Sequence, residues 1–162
     1  MDSKSYYAFK NYELKIGWSP LETQVSASRK VDIKWDEDST TILDAKLFVE
    51  AEPDGGSAGL KLHMNSENVF ETIWQPWEDN KRGDTVNVMG LLVNGSNKFD
   101  VTIWKHPLPY PFERKVVVTA YVAITYEGKE PSVTPIDWKY YLAGGLALGG
   151  IAGAVMARGG EK

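Results

Sequence analysis

From Val31 to Tyr126 apolar residues recur at every second position over run after run, and that period leaves few architectures open. Val31, Ile33 and Trp35 alternate with Asp32 and Lys34, the pattern of a half-buried strand. Asp36-Glu37-Asp38-Ser39 supplies a turn. Leu43, Ala45, Leu47, Val49 and Ala51 share the next face, opposite Asp44, Lys46 and Glu50, and Pro53-Asp54-Gly55-Gly56 ends that strand with strong turn chemistry. Leu60, Leu62 and Met64 alternate again, followed by strands over 69–74, 85–88, 99–104 and 115–126. In the last strand both faces are apolar or aromatic. Val116, Val118, Ala120, Val122 and Ile124 form one face, and Val117, Tyr121 and Ala123 the other, so a central strand covered on both sides is expected. No helical period of about 3.6 residues interrupts the series before Trp138. Roughly eight short strands with turns between them predict an all-β domain, a jelly-roll-like β-sandwich.

The end of the chain is of another kind. Seven of the 15 glycines lie between Gly144 and Gly160, and no residue from Tyr140 to Ala157 is charged. At helical rise such a stretch spans roughly 27 Å, close to the bilayer hydrocarbon thickness of about 30 Å. Trp138, Tyr140 and Tyr141 make an aromatic belt beside Lys139, and Arg158 and Lys162 flank the other side. Gly145, Gly149 and Gly153 fall on one stripe, where small residues let helix backbones approach closely in lipid. The reading is a C-terminal transmembrane helix over 138–158 with a glycine packing face. The alternative is an apolar helix buried in a protein assembly, such as the core of a filament. A sandwich domain over 1–126, a Pro-containing linker over 127–137 and a short polar tail over 159–162 complete the expected organisation. Within the first part, residues 1–20 carry Tyr6, Tyr7 and Phe9, which suit either a docking arm or a first strand.

Composition narrows function mainly by exclusion. The chain has 162 residues, no cysteine, 18 basic and 22 acidic side chains, and 43% hydrophobic content. Without cysteine there is no disulfide scaffold, thiolate metal site or cysteine nucleophile. A net charge of −4 argues against nucleic acid as the partner, since phosphate neutralisation needs clustered cations. Two histidines, His63 and His106, supply little for hydrolytic chemistry, and no catalytic, cofactor or metal site is expected. The first 20 residues lack the apolar core of a secretory signal, so a tail-anchored chain with its domain on the cytoplasmic or capsid-facing side is the expectation.

From Leu43 to Trp104 the order is a strand, a Gly-rich turn, "LKLHMNSENVFETIW" and then "DTVNVMGLLVNGSNKFDVTIW". This resembles the galactose-binding-like jelly rolls found in many carbohydrate-binding modules. In that pattern a strand with an Asn-containing turn is followed by an element ending in Gly-x-Asn. Here Met89 to Asn97 occupies the second element, with Leu91 and Leu92 expected to plug the sandwich end and Gly95 to take a positive φ. The first element departs from the pattern, reading Asn65-Ser66-Glu67-Asn68. The resemblance implies a fold and carries over no sugar-binding residue.

Few groups bear chemistry. Asp36, Glu37 and Asp38 suit a solvated hairpin loop, with calcium binding alongside Asp79 or Asp84 as the alternative. Asn94-Gly95-Ser96 is formally a glycosylation sequon, though the same Asn-Gly serves the turn. Trp74, Trp77 and Trp104 are candidate sugar-stacking residues, with core or interface packing as their other use. Pro107, Leu108, Pro109, Tyr110, Pro111 and Phe112 form a stiff loop suited to partner contact, or else a rigid crossing connection. These features favour a structural or assembly protein whose partners are a lipid bilayer and other protein subunits, in a homo-oligomer or a shell. A virion with an internal membrane beneath its capsid is one setting. The alternatives are a membrane-anchored carbohydrate-binding module, with a glycan as partner, and a filament subunit.

Overall fold

The structure is a computed structural model that describes residues 1–54, 57–106 and 113–134. Among these, nine strands form: β1 (Asp2–Ile16), β2 (Gln24–Lys34), β3 (Thr40–Asp54), β4 (Ala58–Met64), β5 (Glu67–Ile73), β6 (Arg82–Asn87), β7 (Gly95–Lys105), β8 (Arg114–Gly128) and β9 (Ser132–Thr134). The first sheet has the order β1-β8-β3-β6 and the second β5-β4-β7-β2-β9, with every pairing antiparallel. Only β4 and β5 are joined within one sheet, and every other connection crosses between sheets. That is the connectivity of an eight-stranded jelly roll with β9 added to an edge. The helix expected over 138–158 lies outside the described residues, and no helix among the described ones is long and apolar enough to cross a membrane.

Alternation builds the core. Ala45, Leu47, Val49 and Ala51 of β3 and Val116, Val118, Ala120, Val122 and Ile124 of β8 face Leu60, Leu62 and Met64 of β4 and Phe99, Val101 and Ile103 of β7. β8 is central in its sheet, as its sequence suggests, but only one of its faces is covered by the other sheet. The opposite face, with Val117, Tyr121 and Ala123, is half-buried beneath its own neighbours. Its apolar character comes from cross-strand packing on an outer surface, not from a third layer.

Residues 1–20, for which a docking arm and a first strand were both open, supply the first strand: Asp2–Ile16 pairs along β8, with Tyr6 and Phe9 buried. Alternation there is hidden by register shifts between Tyr7 and Tyr12, which bury Ala8 and Phe9 side by side and put Asn11 at φ 48°. The polar segment read as a linker is also tied down. Ser132, Val133 and Thr134 pair with Lys34, Ile33 and Asp32, the Tyr6 hydroxyl donates to the Pro131 carbonyl (3.0 Å), and the Thr40 hydroxyl donates to that of Lys129 (2.8 Å). Backbone pairing needs no apolar period, so such an edge strand leaves little mark in the sequence.

Connections β2–β3, β4–β5, β6–β7 and β8–β9 meet at one end of the sandwich, the lower rim; β1–β2, β3–β4, β5–β6 and β7–β8 meet at the upper rim. Asn65 and Ser66, both at positive φ, make the two-residue β4–β5 turn. Gly95 takes φ 131°, as expected of the turn before β7, and Leu91 and Leu92 pack against the core end.

Candidate functional site

The upper rim displays what the core does not use. The β1–β2 loop leaves Trp18 62% and Leu21 92% exposed, and the β5–β6 loop leaves Trp77 80% exposed. Both loops are braced. Lys105, itself buried, donates through Nζ to the Gly17 and Ser19 carbonyls (2.9 and 3.0 Å), and Glu22 accepts from the Gly17 N–H (3.0 Å). On the other side Glu78 accepts from the Gln75 N–H (2.7 Å) and pairs with Arg82 (2.9 Å), whose guanidinium reaches the Ile73 carbonyl (2.6 Å). Exposed aromatics on braced loops lose little conformational freedom when they dock.

The outer face of the second sheet carries a groove of about 340 Å³ lined by Thr23, Gln24, Lys61, Glu71, Thr102 and Trp104, with Lys105 at its edge. Register assembles it. Trp104 lies between Gln24 on β2 and Gly59 on β4, and Thr102 lies between Ser26 and Lys61, with Glu71 beyond Lys61 on β5. The indole fills the space over Gly59, where a Cβ would overlap Cε2 and Cζ2. Any larger residue at 59 would push the ring off the sheet.

The outer face of the first sheet holds a row of three rings on adjacent strands. Tyr7 is opposite Tyr121, and Tyr121 is opposite Phe48. The Phe48 and Tyr121 rings stack with centroids 5.0 Å apart and an interplanar angle of 13°, and Tyr7 tilts against Tyr121 at the same distance. Lys10 stands over the Tyr7 ring. The ring faces therefore meet one another and a lysine, which is a cross-strand ladder that stabilises the sheet. A cavity of about 550 Å³ beside it is lined by Phe48, Glu50, Gly83, Asp84, Thr85 and Thr119.

Of the sequence-named tryptophans, Trp74 is a correction. It is fully buried, donates from Nε1 to the Asn80 carbonyl (2.8 Å) and lies under the Arg82 guanidinium, so it is a plug of the core and offers no face to a sugar. Trp77 belongs to the upper rim and Trp104 to the groove, so the three do not form one surface. The Pro107, Leu108, Pro109, Tyr110, Pro111 and Phe112 loop lies outside the described residues, as do Trp138, Tyr140, Tyr141, Gly145, Gly149 and Gly153. The acidic grouping considered for calcium does not assemble. Asp36 is in a lower-rim turn, where its carboxylate accepts from the Asp38 N–H (3.1 Å) and the Ser39 hydroxyl (2.9 Å), which lowers its pKa. Asp79 lies in an upper-rim loop and Asp84 on β6, and no acidic or histidine cluster suited to a metal ion occurs among the described residues.

Asn94 of the formal sequon is engaged at both ends of its amide: it accepts from the Trp35 N–H (3.0 Å) and donates to the Trp35 carbonyl (2.9 Å). What sequence reasoning missed is the pair beside it. Asn97, fully buried, accepts from the Val93 N–H (3.0 Å) and from the Asn65 amide (3.0 Å), and donates to the Val93 and Gly95 carbonyls (2.9 and 3.1 Å). Asn65 also donates to the Leu91 carbonyl (2.8 Å) and accepts from the Lys98 N–H (2.8 Å). The Gly-x-Asn element is thus a structural lock on the lower rim.

No family model matches the chain, and no curated protein does. Solved structures show remote similarity. Dimeric latent PorU from Porphyromonas gingivalis is 9% identical with a TM-score of 0.47, over 78% of this chain and 13% of that one. The VP2 subviral particle of infectious bursal disease virus is 9% identical with a TM-score of 0.41, over 76% of this chain and 32% of that one. The CBM36-1 domain of a xylanase from the hindgut metagenome of Trinervitermes trinervoides is 10% identical with a TM-score of 0.40, over 79% of this chain and all of that one. The sandwich architecture rests on the two sheets described above.

Proposed function

We propose that the protein is a non-enzymatic structural bridge: a jelly roll held against a bilayer by residues 138–158, with its domain on the cytoplasmic or capsid-facing side, contacting a protein layer through its upper rim. The observation that supports this reading is the separation of tether and contact surface. β9 enters from the lower rim, and Thr134 lies opposite Asp32. Four Cα steps to Trp138 reach at most roughly 14 Å. From Asp32 to Gln24 at the upper rim, β2 runs a further eight residues, roughly 27 Å. The described chain therefore ends at Thr134, two residues up β2 from the lower rim and well short of the rim that displays Trp18, Leu21 and Trp77. β8, with 15 residues, sets the height of the spacer at about 50 Å.

Photo-crosslinking tests the reading. With the full chain in its native membrane, a photoreactive residue at position 18 or 77 should yield adducts with other protein subunits, whereas one at position 66 should not. Flotation with lipid should be lost when 138–158 is deleted. Equal adducts from both rims, or flotation independent of 138–158, would overturn the bridge.

A further inference from the structure

We propose that the outer face of the first sheet is the contact between two copies of this chain, independently of the bridging role. The two outer faces of the sandwich differ in kind. On the second sheet Ser26, Ser28 and Lys30 of β2 lie beside Thr102, Asp100 and Lys98 of β7, a polar surface around Trp104. On the first, Val117, Tyr121 and Ala123 of β8 run between Tyr7 of β1 and Phe48 of β3. Within one chain those rings pack across strands, yet the row stays partly in solvent, with Tyr7 46% exposed. Charged side chains surround it, among them Lys10, Glu13, Lys46, Glu50 and Glu52. An aromatic centre within a polar rim is the anatomy of a protein interface. With strands about 4.8 Å apart, and over residues 115–125 of β8, the face measures roughly 19 by 34 Å. Two copies would bury roughly 1,300 Å² in total, inside the range of about 1,200–2,000 Å² for stable interfaces.

The occupant is a second copy because the face complements itself. Its β1 side presents the exposed Tyr7 and Lys10. Its β3–β6 side holds the cavity of about 550 Å³ lined by Phe48, Glu50, Gly83, Asp84, Thr85 and Tyr121, to which Gly83 adds no side chain. That side is also net negative, since Glu50 and Glu52 share one lysine, Lys81, and Asp84 stands beside them. Register sets the fit. Tyr7, Tyr121, Phe48 and Thr85 form one row across the sheet; Asn11, Thr119, Glu50 and Gly83 form the next, with Lys10 adjoining it. A two-fold axis in the plane of contact, parallel to β8 and beside Tyr121, lays β1 of each copy over β3 of the other. Tyr7 then meets Phe48 of the second copy, and Lys10 enters the cavity at Glu50. The same axis leaves both copies of Thr134 at one end, so that on the bridging reading both tethers reach one bilayer. An axis across the strands would send them to opposite ends and stack β1 on β1, with no acidic cavity for Lys10.

Sedimentation of the full chain in detergent micelles should show a dimer at about 50 μM, with Kd below about 10 μM. Lys10→Glu sets a carboxylate against Glu50 of the second copy and should weaken dimerisation about tenfold or more. Lys10→Glu/Glu50→Lys restores opposite charges across the axis and should recover the Kd to within about threefold. Because the chain has no cysteine, single cysteines report the operator. Stacked sheets lie about 10 Å apart, which suits a short bismaleimide. Lys10→Cys mixed with Glu50→Cys should crosslink faster than either variant alone, whatever the charge change does to folding. Gly149→Leu should leave dimer and crosslink unchanged. A monomer at about 50 μM overturns the proposal, as does a dimer insensitive to Lys10→Glu or a reversal without rescue. A dimer lost in Gly149→Leu overturns it too, by moving the association to 138–158. None of these readouts involves position 18 or 77, so the dimer and the bridge fail separately.

Discussion

At the lower rim Asn65, Asn94 and Asn97 pair with the backbone around them, whereas the upper rim braces its loops with Lys105 and Arg82 and leaves Trp18, Leu21 and Trp77 exposed. Both rims are made of sheet-crossing connections with similar needs. The lower one spends its polar side chains on itself. The upper one uses the buried Lys105 and the half-buried Arg82 as struts and leaves its aromatics exposed. Substitutions should therefore act on folding at one rim and on association at the other.

The largest effect is expected at the lower rim. Asn97→Ala would strand the Val93 N–H, two carbonyls and the Asn65 amide in a buried site, at a cost of about 3 kcal/mol. Urea denaturation measures it; a loss under about 1 kcal/mol would mean that the rim is not locked by this residue.

Tyr6 gives a smaller effect with a pH signature. Its phenol donates to the Pro131 carbonyl, and its pKa is pushed from 10.0 to about 12, first by burial and then by Tyr126. The native state thus holds the proton where the unfolded state has released it. That contribution is complete below pH 10 and lost as pH rises toward about 12. Tyr6→Phe should lower stability by about 1 kcal/mol at neutral pH and make the alkaline decline shallower. An unaltered alkaline slope in this variant would sink the assignment.

The smallest effect belongs to the upper rim. Trp77→Ala should change unfolding free energy by less than about 0.5 kcal/mol, since the ring is outside the core. A cost of about 2 kcal/mol or more would erase the distinction between the rims.

The sequence showed the strands whose inner residues are large and regularly spaced, such as 45–51 and 115–126, but Leu43, expected on the inner face of β3, is 40% exposed because a register shift between Ile42 and Asp44 turns Ile42 to the core instead. It concealed β1, where the register shifts break the period, and the first half of β2, whose inward residues include Ala27 and Arg29. Trp74 was ambiguous because a tryptophan at a strand end reads the same whether it turns inward or outward. Trp104 was nameable as an aromatic, but its groove was not. Gly59, Lys61, Gln24 and Glu71 come from three strands that only the register brings beside it.

The pairing of β1 with β8 bears on how the chain is made. Tyr6 and Pro131 are 125 positions apart along the chain. A newly synthesised β1 has no partner until almost all of the domain has followed it, and closing so large a loop is entropically slow. During that interval its Tyr6, Phe9, Tyr12, Leu14 and Ile16 face water, so a nascent or truncated chain ending before β8 is a substrate for chaperones and a seed for aggregation.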